Sequence, residues 1–189
     1  LKRSSREQAL GPRSALQTAS YYIPADRPLS DHTRIEQLVL GGRDIDEAAV
    51  LMSNLWSNLV PQGNDWILTL NANPLSALEP HSDSLEETLE FPISSRRVVL
   101  LAREAVGNLV DTKDRVAALN SYVHRYLTYQ PDAPSQPVLA LLDRRIGDCT
   151  EFADLFTTLA RSLKIPARTV FGLAYDNSGA PAFAFHAWN

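Results

Sequence analysis

The carboxy-terminal quarter of the chain passes from helical to strand periodicity in one run, and this constrains the fold more than any other feature. In Arg145–Pro166 (RIGDCTEFADLFTTLARSLKIP), Phe152, Leu155, Phe156, Leu159 and Leu163 recur at three- and four-residue spacings, which predicts an amphipathic helix. Lys164 and Pro166 close it. Ala167–Tyr175 (ARTVFGLAY) then reads as a strand, Asp176-Asn177-Ser178-Gly179 as a turn, and Ala182–Trp188 (AFAFHAW) as a second strand with two-residue alternation. Helix, strand, turn and strand in this order predict an α+β fold, with helices packed on an antiparallel sheet.

Upstream, Val98, Leu101, Ala102, Ala105, Val106 and Leu109 predict a helix over Ser95–Val110. Val116, Leu119, Tyr122, Val123, Tyr126 and Leu127 predict another, capped by Asp111 or Thr112, the two forming a helical hairpin. The proline-rich loop Gln130–Pro137 leads into a short helical turn over Val138–Arg144. Nearer the amino terminus, Ile45, Ala48, Ala49, Met52, Leu55, Trp56 and Leu59 predict a helix over Asp44–Val60, ended by Pro61, with Gly41-Gly42 as a turn before it. Trp66–Asn71 and Leu85–Phe91 read as short strands, and the acidic stretch Glu79–Glu90 as a solvated face. The expected organisation is an arm or linker over residues 1–31, an α/β extension or cap over 32–94 and the main core over 95–189.

The candidate chemistry lies at the start of the last helix. Gly147 permits a sharp turn into it, Asp148 is a natural capping side chain, and Cys149 falls within the first turn. There the unpaired N–H groups and the positive end of the helix dipole stabilise a thiolate, so the sequence predicts a thiol pKa lowered toward the range of roughly 3.5 to 7.5 seen at such positions. The same N–H groups suit a developing oxyanion. A nucleophilic thiol also needs a base, and His186, the one histidine downstream of Cys149, lies on the second strand with Ala184 and Trp188 on its face and small neighbours beside it. A small buried hydrophobe and a satisfied core histidine are the alternative roles for these two residues.

Three strings together carry a resemblance: Gly147-Asp148-Cys149-Thr150-Glu151 at the helix start, Ile165-Pro166-Ala167-Arg168 at the helix-to-strand turn, and His186-Ala187-Trp188 on the second strand, with Tyr126-Leu127-Thr128-Tyr129 ahead of them. In this order they resemble the transglutaminase-like superfamily, the papain-related group that includes transglutaminases, peptide N-glycanase and many bacterial chains assigned as cysteine proteases. The resemblance implies a Cys, His, Asp triad with Cys149 as nucleophile and His186 as base, on a papain-like core. It implies a thioester intermediate formed from a peptide or protein amide, hydrolysed by water. Transfer to a lysine amine, as in protein crosslinking, and a noncatalytic binding or scaffolding domain are the alternatives.

By the same resemblance Tyr129 assists the oxyanion and Trp188 shields the thioester, core packing being the alternative for both. The family's triad acid lies on a further strand beyond the histidine, so the core is expected to be partial, incomplete at its carboxy-terminal end. Glu151, Asp154 and Asp176 are not expected to replace that acid: the first two start a helix that runs away from the cysteine, and the third lies in the turn. An apolar sheet edge along AFAFHAW is expected to stand open.

Composition bounds the remaining classes. Eighteen Lys and Arg against 22 Asp and Glu, a net charge of −4, give no basic field for nucleic acid. The single cysteine excludes an internal disulfide and a multi-thiolate zinc site. His32, His81 and His124 are scattered, without HExxH spacing, and GxxxxGK is missing, so neither metal nor cofactor is expected. The longest apolar runs, Ala48–Met52 and Val98–Ala102, are far shorter than the roughly 20 residues of a membrane span. The polar, basic opening holds no apolar signal-peptide core, so such a segment is expected to be absent or already removed, and the compartment stays open.

Overall fold

A computed structural model describes residues 22–25, 27–29, 37–43, 57–63, 65–71, 82–131, 133–176 and 178–189. The chain divides into two compact units, one of Leu1–Arg27 with His81–Asn189 and one of Pro28–Pro80. In the first unit, β1 is Tyr22–Pro24.

The second unit is a three-stranded antiparallel sheet of β2 (Gln37–Arg43), β3 (Ser57–Gln62) and β4 (Asp65–Asn71), ordered β2-β4-β3. The central strand is the WILTLN segment read from sequence, and its Leu68 is buried. Two expectations are corrected. Gly41 and Gly42 pair with Ile67 and Trp66 within β2, so they form no turn. The helix expected over Asp44–Val60 fails at its end, because Ser57–Val60 belong to β3; residues 44–56 lie outside the described residues. Pairing with β4 satisfies the backbone groups of Ser57–Gln62, which outweighs a local periodicity. Pro61 is tolerated because β3 is an edge strand, where a missing N–H leaves no ladder bond broken.

In the first unit a 3-10 turn (Ser82–Leu85) precedes α1 (Arg96–Val106), α2 (Thr112–Tyr126), β5 (Thr128–Tyr129), α3 (Val138–Arg144), β6 (Ile146–Gly147), α4 (Cys149–Ser162), β7 (Val170–Asp176) and β8 (Ala182–Trp188). The helices follow the apolar periodicity closely. Asp111 caps α2, its carboxylate accepting from the N–H groups of Lys113 and Asp114 at 2.8 and 3.2 Å. The strand expected over Leu85–Phe91 does not form: among the described residues no strand pairs with it, and the segment is held instead by Glu87 Oε1, which accepts from the Ser94 N–H and Oγ at 3.0 and 2.7 Å.

Helix α4 is the centre of this unit. It packs against α1, α2, α3 and β8, and its Leu155 and Leu159 join Val98, Leu119 and Leu141 in a core with no solvent exposure. The sheet beside it is antiparallel, ordered β1-β8-β7. Here too an expectation is corrected. The apolar edge of β8 is covered along Ala182–Ala184 by β1, with Tyr22 opposite Ala184 and Pro24 opposite Ala182, because part of the amino-terminal stretch expected as an arm supplies a strand.

Candidate active site

The start of α4 is built by four consecutive residue choices. Arg145 takes a left-handed conformation at φ 54° and ends α3. The next two residues pair in parallel with β5, Ile146 opposite Thr128 and Gly147 opposite Tyr129, with Thr128 N–H donating to Arg145 O at 2.8 Å and Gln130 N–H to Gly147 O at 2.9 Å. Gln136 Nε2 also donates to Ile146 O, at 2.6 Å. Asp148 then caps the helix by accepting from Thr150 N–H at 2.8 Å, and Glu151 Oε2 reaches back to accept from Asp148 N–H at 3.0 Å. This is a complete capping box. A Cβ at 147 would overlap Cβ and Cγ of Glu151, so glycine is required here by that close approach rather than by its backbone angle.

Cys149 is the first residue of α4 and is half-buried. Its thiol is pushed up from its ordinary value, which corrects the lowering expected from its place at a helix start. Burial is the main cause; the Asp148 carboxylate adds to it, and the opposing donors, the Ala187 backbone N–H, the Thr150 side chain and the Cys149 N–H, do not outweigh it. At neutral pH the sulfur therefore keeps its proton.

The Ala187 contact places β8 against Cys149. His186 precedes Ala187 on the strand, and alternation turns the buried Ala187 and the exposed His186 to opposite faces. The His186 ring is not among the groups acting on the thiol. It stacks on Trp188, with ring centroids 6.2 Å apart and 23° between planes. Trp188 in turn lies over Gly172, the residue opposite His186 on β7; a Cβ there would come within 2.6 Å of Trp188 Cη2. Tyr129 is paired with Gly147, two residues before the cysteine, and is 62% exposed with its ring edge toward Phe152 at 6.3 Å. The fold thus brings the Ala187 backbone to Cys149 and Tyr129 beside Gly147, while the His186 and Trp188 side chains lie on the other face of β8.

Residues 100–189 match the model of the transglutaminase-like superfamily. This part of the chain is similar to the transglutaminase-like superfamily. Among solved structures, the "Putative Cysteine Protease from Cytophaga hutchinsonii" has the same fold, with a TM-score of 0.51, 15% identity and 88% of this chain covered. The chain spans 65% of that protein's length. A "putative protease from Parabacteroides distasonis" matches at a TM-score of 0.37, 12% identity, 85% of this chain and 34% of that one. No curated protein matches the sequence.

Gly172 and Asn189 were not singled out from sequence, and Glu151 was weighed there only as a triad acid and set aside. Glu151, 2% exposed, carries a carboxyl pushed up to about 7 by burial and by its hydrogen bond to the Asp148 side chain. The S/T/D-x-x-E spacing of a capping box signals its place. Gly172 gives room to Trp188, and a lone glycine within a strand pattern is the available signal. Asn189 fastens the end of β8, donating from Nδ2 to Ala153 O at 2.9 Å and to Thr157 Oγ1 at 2.8 Å; nothing in the sequence marks it. Among the described residues, no cluster of metal-ligating side chains occurs and no helix is long and apolar enough to cross a membrane.

Proposed function

We propose that the unit carrying Cys149 is a thiol enzyme that cleaves peptide or protein amides through a thioester on Cys149, with His186 as its base and water as the acceptor. One observation carries this reading: the backbone N–H of Ala187 acts on the Cys149 thiol, which brings the strand bearing His186 to the nucleophile. Because burial raises the thiol, this reading requires a neighbour that takes its proton, the role it gives His186.

In this mechanism the imidazole removes the thiol proton as sulfur bonds to the amide carbon. The oxyanion that forms meets the N–H groups of Cys149 and Ala187, both of which act on the thiol. Collapse of the adduct breaks the carbon–nitrogen bond, and the imidazolium returns its proton to the leaving amine. Water, deprotonated by the same imidazole, then attacks the thioester and releases the acid and the free thiol. In this reading Tyr129, exposed beside Gly147, assists the oxyanion, and Trp188, stacked on His186, shields the thioester.

Alkylation of Cys149 by iodoacetamide between pH 5 and 9 tests the pair. The wild type is expected to react at pH 7 about tenfold faster than His186→Ala, whose profile should follow the bare, raised thiol. Equal rates and equal profiles would remove His186 from the chemistry. Release of amines from a mixed peptide pool should vanish in Cys149→Ala, and its persistence there would overturn the assignment.

A further inference from the structure

The end of β8 is tied to α4 by a chain of hydrogen bonds whose direction is fixed. Both protons of the Asn189 amide are used, one on Ala153 O and one on Thr157 Oγ1. The Thr169 hydroxyl, just before β7, donates to Asp154 Oδ1 at 2.8 Å. Its single proton is thereby spent, so the 3.2 Å contact between Thr157 and Thr169 has Thr157 as donor. The chain runs from the Asn189 amide through Thr157 and Thr169 to the Asp154 carboxylate, and only an acceptor at that last position keeps every step in one sense. Thr157 is fully buried, where an unpaired hydroxyl is costly.

The two elements also match in step. Cys149, Ala153 and Thr157 follow one another at four-residue spacing along one face of α4, and Ala187 and Asn189 at two-residue spacing along β8. A helical turn of four residues rises about 6 Å and two strand residues about 6.7 Å, so Ala187 meets Cys149 while Asn189 meets Ala153 and Thr157. Slipping the strand by one residue would exchange its faces and take Ala187 off Cys149 and Asn189 off Ala153 and Thr157.

We propose that Asn189 is a positioning residue: through Thr157, Thr169 and Asp154 it clamps the register of β8 on α4 and so sets the reach of His186 to Cys149. This inference rests on the Cys149–His186 reading above. Its test is the iodoacetamide pH profile of the full chain in Asn189→Ala, Thr157→Val, Thr157→Ser and His186→Ala. The clamp predicts that Asn189→Ala and Thr157→Val lose about tenfold in rate at pH 7 and take on the profile of His186→Ala, since a misplacement of about 1 Å suffices for such losses. Thr157→Ser, which keeps the hydroxyl, should hold the wild-type profile.

If Asn189→Ala and Thr157→Val keep the wild-type profile while His186→Ala changes it, the clamp is overturned and the pair stands. A lowered melting temperature with an unchanged profile overturns the clamp equally. If His186→Ala itself keeps the wild-type profile, the pair falls and the clamp with it. Should circular dichroism show Asn189→Ala unfolded, the contrast between Thr157→Val and Thr157→Ser decides alone.

Discussion

At the scale of single residues, Glu151 has the most consequential environment. It is buried two positions from Cys149, and its carboxyl is raised from 4.5 to about 7 by desolvation and by the Asp148 carboxyl. A folded-state value above the unfolded one means that between these two pH values the folded chain holds a proton that the unfolded chain has released. The resulting stability is full below about pH 4.5 and is lost as the pH rises through 7. Glu151→Gln keeps an acceptor for the Asp148 N–H and removes the ionisation. In thermal melts the variant and the wild type should coincide near pH 4.5, and by pH 8 the variant should be more stable by about 1–2 kcal/mol, a figure reduced for solvent screening. Coincidence at both ends would mean that Glu151 is ordinary.

At the scale of elements, β7 and β8 are fitted to each other through an aromatic ring and a missing side chain. Trp188 lies over Gly172 and stacks on His186. Gly172→Ala would drive a methyl group into the indole, so it should destabilise the domain by about 1–3 kcal/mol in denaturant titration. The same substitution in a Trp188→Ala background should cost nearly nothing, because the clash is gone, and the double-mutant cycle isolates the contact. An equal cost in both backgrounds would place the strain in the backbone of β7 instead. At the start of α4, the capping box and Gly147 similarly depend on each other: the Glu151 that completes the cap occupies the volume a larger residue at 147 would need.

At the scale of the whole molecule, one buried cation among the described residues joins distant parts of the unit that carries the candidate site. Arg161 is 4% exposed; its Nε donates to Ala167 O at 2.7 Å and its Nη1 to Glu86 O at 3.1 Å, and its guanidinium lies 4.6 Å above the Phe91 ring. It joins the carboxy-terminal end of α4 to the stretch before α1 and to the turn before β7. Ala167 N–H donates to Ser84 O at 3.0 Å across the same junction. Arg161→Met fills similar volume but leaves the two carbonyls unanswered, so it should lower stability by about 2–4 kcal/mol and open residues 82–95 to limited proteolysis. Lowered melting without new cleavage there would show that other contacts hold the segment.

The carboxy-terminal helix, its cap at Asp148 and the hairpin that follows were all legible in the sequence, as was the place of Cys149 in the first turn of that helix. Each rests on a local cause: a 3.6-residue stripe, a capping side chain, a turn between two-residue alternations, and motifs within short stretches. What the chain does with edges and close approaches was not legible. Tyr22–Pro24 covers β8, Ser57–Gln62 pairs as a strand, and Leu85–Phe91 does not, because strand formation depends on a partner distant in sequence. The thiol is raised rather than lowered for a related reason, since burial is a property of the packed domain while the helix dipole is a property of the element. The sequence by itself determined the helices between Ser95 and Ser162 and the cap at Asp148; only the tertiary structure decided which strand meets Cys149, in which register, and how far from water, because those follow from long-range contacts that no local pattern encodes.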